Sequence, residues 1–178
     1  MLIFLSDDEL AWCERHARDL VDFYGGEKSQ GSGTYKHNKV SGNLVGVKGE
    51  LAVTRWLQGR FKQVTSNYTS FTDSSRRGDI TCNGHVIEVK SIRPRQWSSL
   101  RTLRRMVPPR QLEKYVRANA IVVWATADPG GRRVQLKGWN RAREIQAKGK
   151  KVKTVCENVW LQHDQDMHTL DSLLEHLK

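Results

Sequence analysis

The sequence predicts an α/β fold of the α+β kind, a central mixed β-sheet flanked by helices, and three observations point to it. Apolar residues recur at helical spacing over residues 7–24 and 44–57. Two extended runs meet at Asn83-Gly84, a dipeptide that accepts the left-handed backbone of a two-residue hairpin turn. A short helical segment at 111–119 then leads into the apolar run 120–127, which reads as a buried strand.

Each element has its own signal. Ser6-Asp7-Asp8-Glu9 has the capping-box form, in which serine and glutamate satisfy exposed N–H groups at a helix start. Leu10, Ala17, Leu20, Val21 and Tyr24 follow at helical spacing until Gly25-Gly26 ends the run. Residues 27–43 are polar, rich in Gly and Ser, and carry Lys28, Lys36 and Lys39, which predicts a long surface loop. Leu44, Val47, Leu51, Val53, Trp56 and Leu57 give the second helix an apolar face. Strand-like runs follow at 61–67, 79–82 and 85–92. Residues 93–110 read as basic and irregular, ending in Pro108-Pro109, where proline suits a helix start. A turn at 128–131 joins the buried strand to another at 133–139. A basic segment at 141–153, a strand at 159–162 and a helix from about residue 170 close the chain. With no internal repeat, the 178 residues are expected to form one domain, large enough to bury a core without disulfides.

The apolar opening at 1–5 is short and runs straight into Asp7, Asp8 and Glu9, so neither a signal peptide nor a membrane span is expected and the location is taken as cytoplasmic. Cys13, Cys82 and Cys156 are odd in number and widely spaced, which suits free thiols in a reducing compartment. The net charge of +11 is uneven. Residues 1–24 hold six acids against Arg15 and Arg18, and residues 157–178 hold five against Lys178, so each end carries −4 and the middle +19. A middle so basic is the electrostatic footprint of a polyphosphate partner, and a nucleic acid is the partner expected, the alternative being a merely solvated basic surface. Arg93, Arg95, Arg101, Arg104, Arg105 and Arg110 are the candidate phosphate contacts.

A two-residue turn fixes hairpin register, so Asn83-Gly84 pairs Cys82 with His85, Thr81 with Val86, Ile80 with Ile87 and Asp79 with Glu88. Alternation along a strand then puts Lys90 on the face of Glu88. Two carboxylates placed together repel each other unless a cation intervenes, whether Lys90 as a plain salt bridge or a hard divalent metal bound through oxygen. Glu50 adds a third acid, lying in a largely apolar row of the second helix beside Gly46 and Gly49. A buried glutamate needs a cation partner, a proton or a metal. Glu88-Val89-Lys90 is the only acid-x-lysine tripeptide in the chain, and it follows an aspartate across a hairpin.

Gly78-Asp79 followed by Glu88-Val89-Lys90 resembles the signature of the PD-(D/E)xK nuclease superfamily, the restriction-endonuclease-like fold, over about residues 44–127. Gly78 stands where that family usually has proline, and Glu50 is similar to its first-helix acid. Gln111 and Tyr115, four apart on a helix, resemble the Gln-x-x-x-Tyr element of its RecB and lambda-exonuclease branch. The resemblance implies a metal-dependent deoxyribonuclease using Mg²⁺, with Mn²⁺ able to substitute. Asp79, Glu88, Glu50 and the Val89 carbonyl would be ligands. Lys90 would orient or deprotonate the attacking water, and Gln111 and Tyr115 would assist at the phosphate. The alternative is a non-catalytic nucleic-acid-binding module that uses the basic middle alone. Whether the protein is a monomer or a homodimer, and whether it cuts internally or from ends, the sequence leaves open.

Overall fold

A computed structural model describes residues 1–24, 40–68, 78–98, 105–153, 157–161 and 163–178. The elements run β1 (Leu2–Phe4), α1 (Asp7–Tyr24), α2 (Val40–Gln58), β2 (Val64–Ser66), β3 (Ile80–Cys82), β4 (His85–Ile92), α3 (Pro94–Ser98), β5 (Met106–Val107), α4 (Pro109–Arg117), β6 (Ile121–Ala127), β7 (Arg133–Arg141), α5 (Ala142–Lys148), β8 (Lys150–Lys153), β9 (Glu157–Trp160) and α6 (Leu170–His176). A mixed sheet has the order β1-β7-β6-β4-β3-β2, and a second, small sheet has the order β5-β9-β8. Among the described residues only β4 and β6 pair in parallel, across a crossover that holds α3, β5 and α4.

Strand β6 shows why helices lie on both faces of the sheet. Every one of its residues is buried. Ile121, Val123, Ala125 and Ala127 join a first core with residues of α1, α2 and α6, while Val122 and Trp124 join a second with residues of α3, α4, α5 and the small sheet. Alternation of side chains along one strand thus feeds two cores. Helix α2 is buried on most sides, with Val47, Val53 and Leu57 against the sheet and α1 beyond it. Lys48 in that helix is buried, and its ammonium donates to the carbonyls of Asp128 (3.1 Å), Pro129 (2.7 Å) and Gly131 (2.9 Å).

The fold follows the expected class, with differences that have physical causes. Helix α2 starts at Val40 and not at residue 44, because Asn43, Leu44 and Val45 are buried there and burial overrides the loop-like Ser41-Gly42. The Gly25-Gly26 stop and residues 27–39 of the expected 27–43 loop lie outside the described residues. The segment 93–110 contains α3 and β5, and 141–153 contains α5 and β8. Cys13 and Cys82 are buried free thiols, and burial pushes the Cys13 thiol up to about 12; Cys156 is outside the described residues. Among the described residues no helix is long and apolar enough to cross a membrane.

Candidate active site

The site begins at the hairpin turn. Asn83 and Gly84 have φ of 46° and 82°, both left-handed as a tight two-residue turn requires. The register is the one the turn dictates: Cys82 pairs with His85, Thr81 with Val86, and Ile80 with Ile87. The expected fourth pair, Asp79 with Glu88, does not form as a ladder pair. The Asp79 N–H instead donates to the Ile87 carbonyl at 3.0 Å, and its carboxylate accepts from the Val89 N–H at 2.7 Å.

Two local facts account for this correction. Gly78 has φ 66°, and a Cβ there would stand 2.7 Å from the Val86 side chain and 2.9 Å from the Ile87 carbonyl. Proline, locked near −65°, cannot take that conformation, which explains the glycine before the first acid. Beyond Ile87, β4 continues to Ile92 with β6 on one side only among the described residues, so its other edge is open there and the Val89 N–H needs an acceptor. Asp79 supplies it. The N–H and C=O of one strand residue point to the same side, so the Val89 carbonyl faces the same open edge.

Glu88 and Lys90 alternate with the core residues Ile87 and Val89 and share the face of the second core. Tyr115, buried on α4, meets both: it is hydrogen-bonded to Glu88 and to Lys90, and the Lys90 ammonium lies 5.1 Å from its ring centroid. The Tyr115 hydroxyl also donates to Gln111 Oε1 at 3.3 Å, so the two residues do share a helix face, with Gln111 exposed at the rim. Burial, and then the charge of Asp79, push Glu88 up to about 8. For Lys90 burial alone would lower the pKa, but Tyr115, Glu88 and Asp79 together outweigh it and hold the ammonium above the ordinary lysine range.

Glu50 reaches this group from α2. Next to it, Gly49 lies so close to β4 that any Cβ would collide with the Ser91 side chain, which brings the helix backbone onto the strand. Burial first, then Asp79 and Glu88, hold Glu50 well above the usual carboxylate range, and Lys90 opposes them. Asp79 is raised by burial, with Lys90 and the Val89 N–H opposing. Among the described residues three half-buried carboxyls therefore share one neighbourhood with one ammonium, a formal excess of two negative charges if all ionise. As the side chains stand, no three His, Cys, Asp or Glu groups among the described residues are arranged to hold an ion together. Asp79 and Glu88 are turned toward Val89 and Tyr115 instead. Mg²⁺ asks less of a protein, one or two carboxylates with water in its other positions, and a hard-oxygen set with surplus negative charge fits it.

The arginines divide. Arg93, Arg95 and Arg110 are exposed, and Arg93 donates to Ser41 Oγ at 3.2 Å. Arg101 and Arg104 lie outside the described residues. Arg105, expected at phosphate, is 2 % exposed: it donates to the Leu161 carbonyl at 3.0 Å, pairs with Asp164 and lies 5.7 Å from the Trp97 ring centroid. A guanidinium so buried and engaged braces the second layer and is withdrawn as a phosphate contact.

Sequence reasoning passed over two residues. Lys114, beside Tyr115, is exposed and its charge favours the ionised form of Glu88. Asn67 ties the aspartate's strand in place, its N–H donating to the Asp79 carbonyl (2.9 Å) and its amide to the Gly78 carbonyl (3.2 Å). Lys114 could have been found from its place next to Tyr115; Asn67 carries no sequence signal. Comparison with protein-family models, with curated proteins and with solved structures gives no match to this chain.

Proposed function

We propose that the protein is a metal-dependent nuclease that hydrolyses phosphodiester bonds in DNA, as the resemblance of Asp79 and Glu88-Val89-Lys90 to PD-(D/E)xK nucleases implies. The observation that carries the reading is the acid cluster: among the described residues Glu50, Asp79 and Glu88 stand half-buried together with Lys90 as the one ammonium among them, and all three carboxyls are raised above their ordinary values. A structural salt bridge matches its charges, because leftover buried charge is destabilising. Excess carboxylate is what a divalent cation would neutralise.

Asp79 and Glu88 would hold Mg²⁺ or Mn²⁺, with Glu50 and the Val89 carbonyl beside them. When bound, the metal supplies charge neutralisation at the phosphate and a more acidic water. The chain's own residues do the rest. Lys90, kept charged by its neighbours, orients the attacking water and faces phosphate charge; an ammonium held above its usual range is not placed to take a proton. Tyr115 fixes both Glu88 and Lys90, which pre-organises the site. Gln111, exposed at the rim, offers an amide donor to a phosphate oxygen.

The test is cleavage of end-labelled linear and closed circular DNA with Mg²⁺ or Mn²⁺. Asp79→Asn and Lys90→Ala are expected to lose cleavage while remaining folded by circular dichroism and still binding DNA. Full activity in either folded variant overturns the assignment. The circular substrate separates internal cutting from attack at ends.

A further inference from the structure

The two layers that cover the main sheet carry opposite charge. On the first face α1, α2 and α6 together hold −5, and on the second face α3, α4, α5 and the small sheet together hold +6. The second is the face on which Glu88, Lys90 and Tyr115 stand. Its strongest concentration is β8, where Lys150, Lys151 and Lys153 are three of four residues and all are exposed.

None of the three pairs with a carboxylate among the described residues, although Lys153 stands opposite Glu157 in the β8–β9 register. Nearby Lys148, by contrast, is engaged with Asp166 at 3.2 Å. Strand β8 is the outer strand of its sheet, paired on one side only. Val107 of β5 and Val159 of β9 fasten that sheet to the core that also contains Tyr115. The lysines are therefore fixed, through two strands and one core, relative to the acidic site. Exposed Arg110 and Lys114 on α4 and Arg143 on α5 belong to the same layer.

We infer that β8 is a docking surface for the phosphate backbone of duplex DNA, and that duplex bound there runs over the basic layer to the acidic site. This rests on the nuclease reading for its direction but not for its chemistry. Lysines on a strand offer point charges to phosphates and no stacking surface: β8 has no aromatic residue, so it lacks the base platform by which single strands are usually held. A lysine-rich outer strand also deters edge-to-edge pairing of sheets, and that role alone predicts no effect on DNA.

The experiment measures binding of a fluorescent 30-base-pair duplex over a salt series with Ca²⁺ present, for the wild type and for two triple variants. One is Lys150→Gln with Lys151→Gln and Lys153→Gln. The other, Arg15→Gln with Arg18→Gln and Lys62→Gln, removes the same charge outside the basic layer. Loss of three phosphate contacts is expected to flatten the slope of log K against log salt by about 2–3 and to weaken binding at least roughly tenfold at 0.1 M salt. The control is expected to keep the slope. Equal slopes in both variants, with wild-type thermal stability, overturn the surface. A greater loss on a single strand of the same length than on the duplex overturns the duplex assignment. Cleavage by the wild type, followed in parallel with Mg²⁺, keeps the two readings apart. A β8-dependent slope without any cleavage removes the nuclease and leaves the surface, while cleavage with an unaltered slope does the reverse.

Discussion

The two faces of the sheet treat buried charge in opposite ways. On the first, Lys48 is buried with its ammonium donating to three carbonyls of the 128–131 turn. On the second, Glu88 and Lys90 lie with Asp79, and are joined by Glu50 from α2, in a half-buried group of three carboxyls and one ammonium whose carboxyls all resist ionising. The first arrangement resembles a rivet, since every donor has an acceptor and the group holds a turn against a helix. The second resists full ionisation. Such a local conflict inside an otherwise consistent core is what the proposed metal-dependent activity would require.

That contrast breaks most sharply at the site itself. Asp79→Asn is expected to reduce Mg²⁺-dependent cleavage by about 10²–10⁴-fold, read by single-turnover kinetics on labelled duplex. Its stability should change little or rise. Lys48→Met should do the opposite, leaving activity per folded molecule near wild type. Loss of its three hydrogen bonds to the 128–131 turn should cost about 1–3 kcal/mol in urea unfolding. If Lys48→Met abolished cleavage in folded protein, or Asp79→Asn unfolded the chain, the division between the faces would be wrong.

A smaller effect sharpens the comparison through pH. The Glu88 carboxyl is held at about 8 in the folded protein by burial and by Asp79. A group whose folded pKa lies above its unfolded value gives stability that is complete below the unfolded pKa and is lost as pH rises through the folded one. Metal-free protein should therefore lose stability between about pH 4 and pH 8 through this group. Glu88→Gln cannot ionise and should be more stable than wild type by about 1–3 kcal/mol at pH 8, with the gain vanishing near pH 4. Denaturant midpoints across that range, in chelator, provide the measurement; a destabilised Glu88→Gln at pH 8 would make Glu88 a structural partner of Lys90.

The contrast also explains what the sequence made legible. Helix α1 and the β3–β4 hairpin were readable because their signals are local: a capping box followed by periodic apolar residues, and a turn dipeptide that fixes register. Alternation along that hairpin puts Glu88 and Lys90 on one face, whereas the positions of Asp79 and Glu50 depend on contacts the register does not fix. What could not be read depends on distant partners. Arg105 is indistinguishable from its neighbours until Leu161 and Asp164 close on it. Strand β5 has two residues and β8 reads as a run of lysines, so neither shows the alternation that announces a strand, and both exist through pairing with β9. The end of the β3–β4 ladder was missed for a different reason. A side chain won a competition for the Val89 N–H that pattern reasoning assigns to backbone.

The smallest expected effect lies on the first, acidic face. His176 of α6 stacks on Trp139 of β7 with ring centroids 5.2 Å apart, and Trp139 Nε1 donates to Ser172 Oγ at 3.0 Å. Burial, then Arg141 and His85, lower the His176 pKa from its ordinary value. In a histidine of this kind the unfolded chain takes up a proton at a higher pH than the folded one does. Stability is thus full above the unfolded value near 6.5 and declines as pH falls below it. His16, lowered chiefly by burial on α1, acts in the same direction. Thermal midpoints should fall between pH 7 and pH 5, and His176→Phe, which keeps a ring against Trp139 but binds no proton, should remove part of that fall and leave cleavage unaltered. A variant whose midpoint drops as steeply as wild type would show that the α6 contact is indifferent to charge.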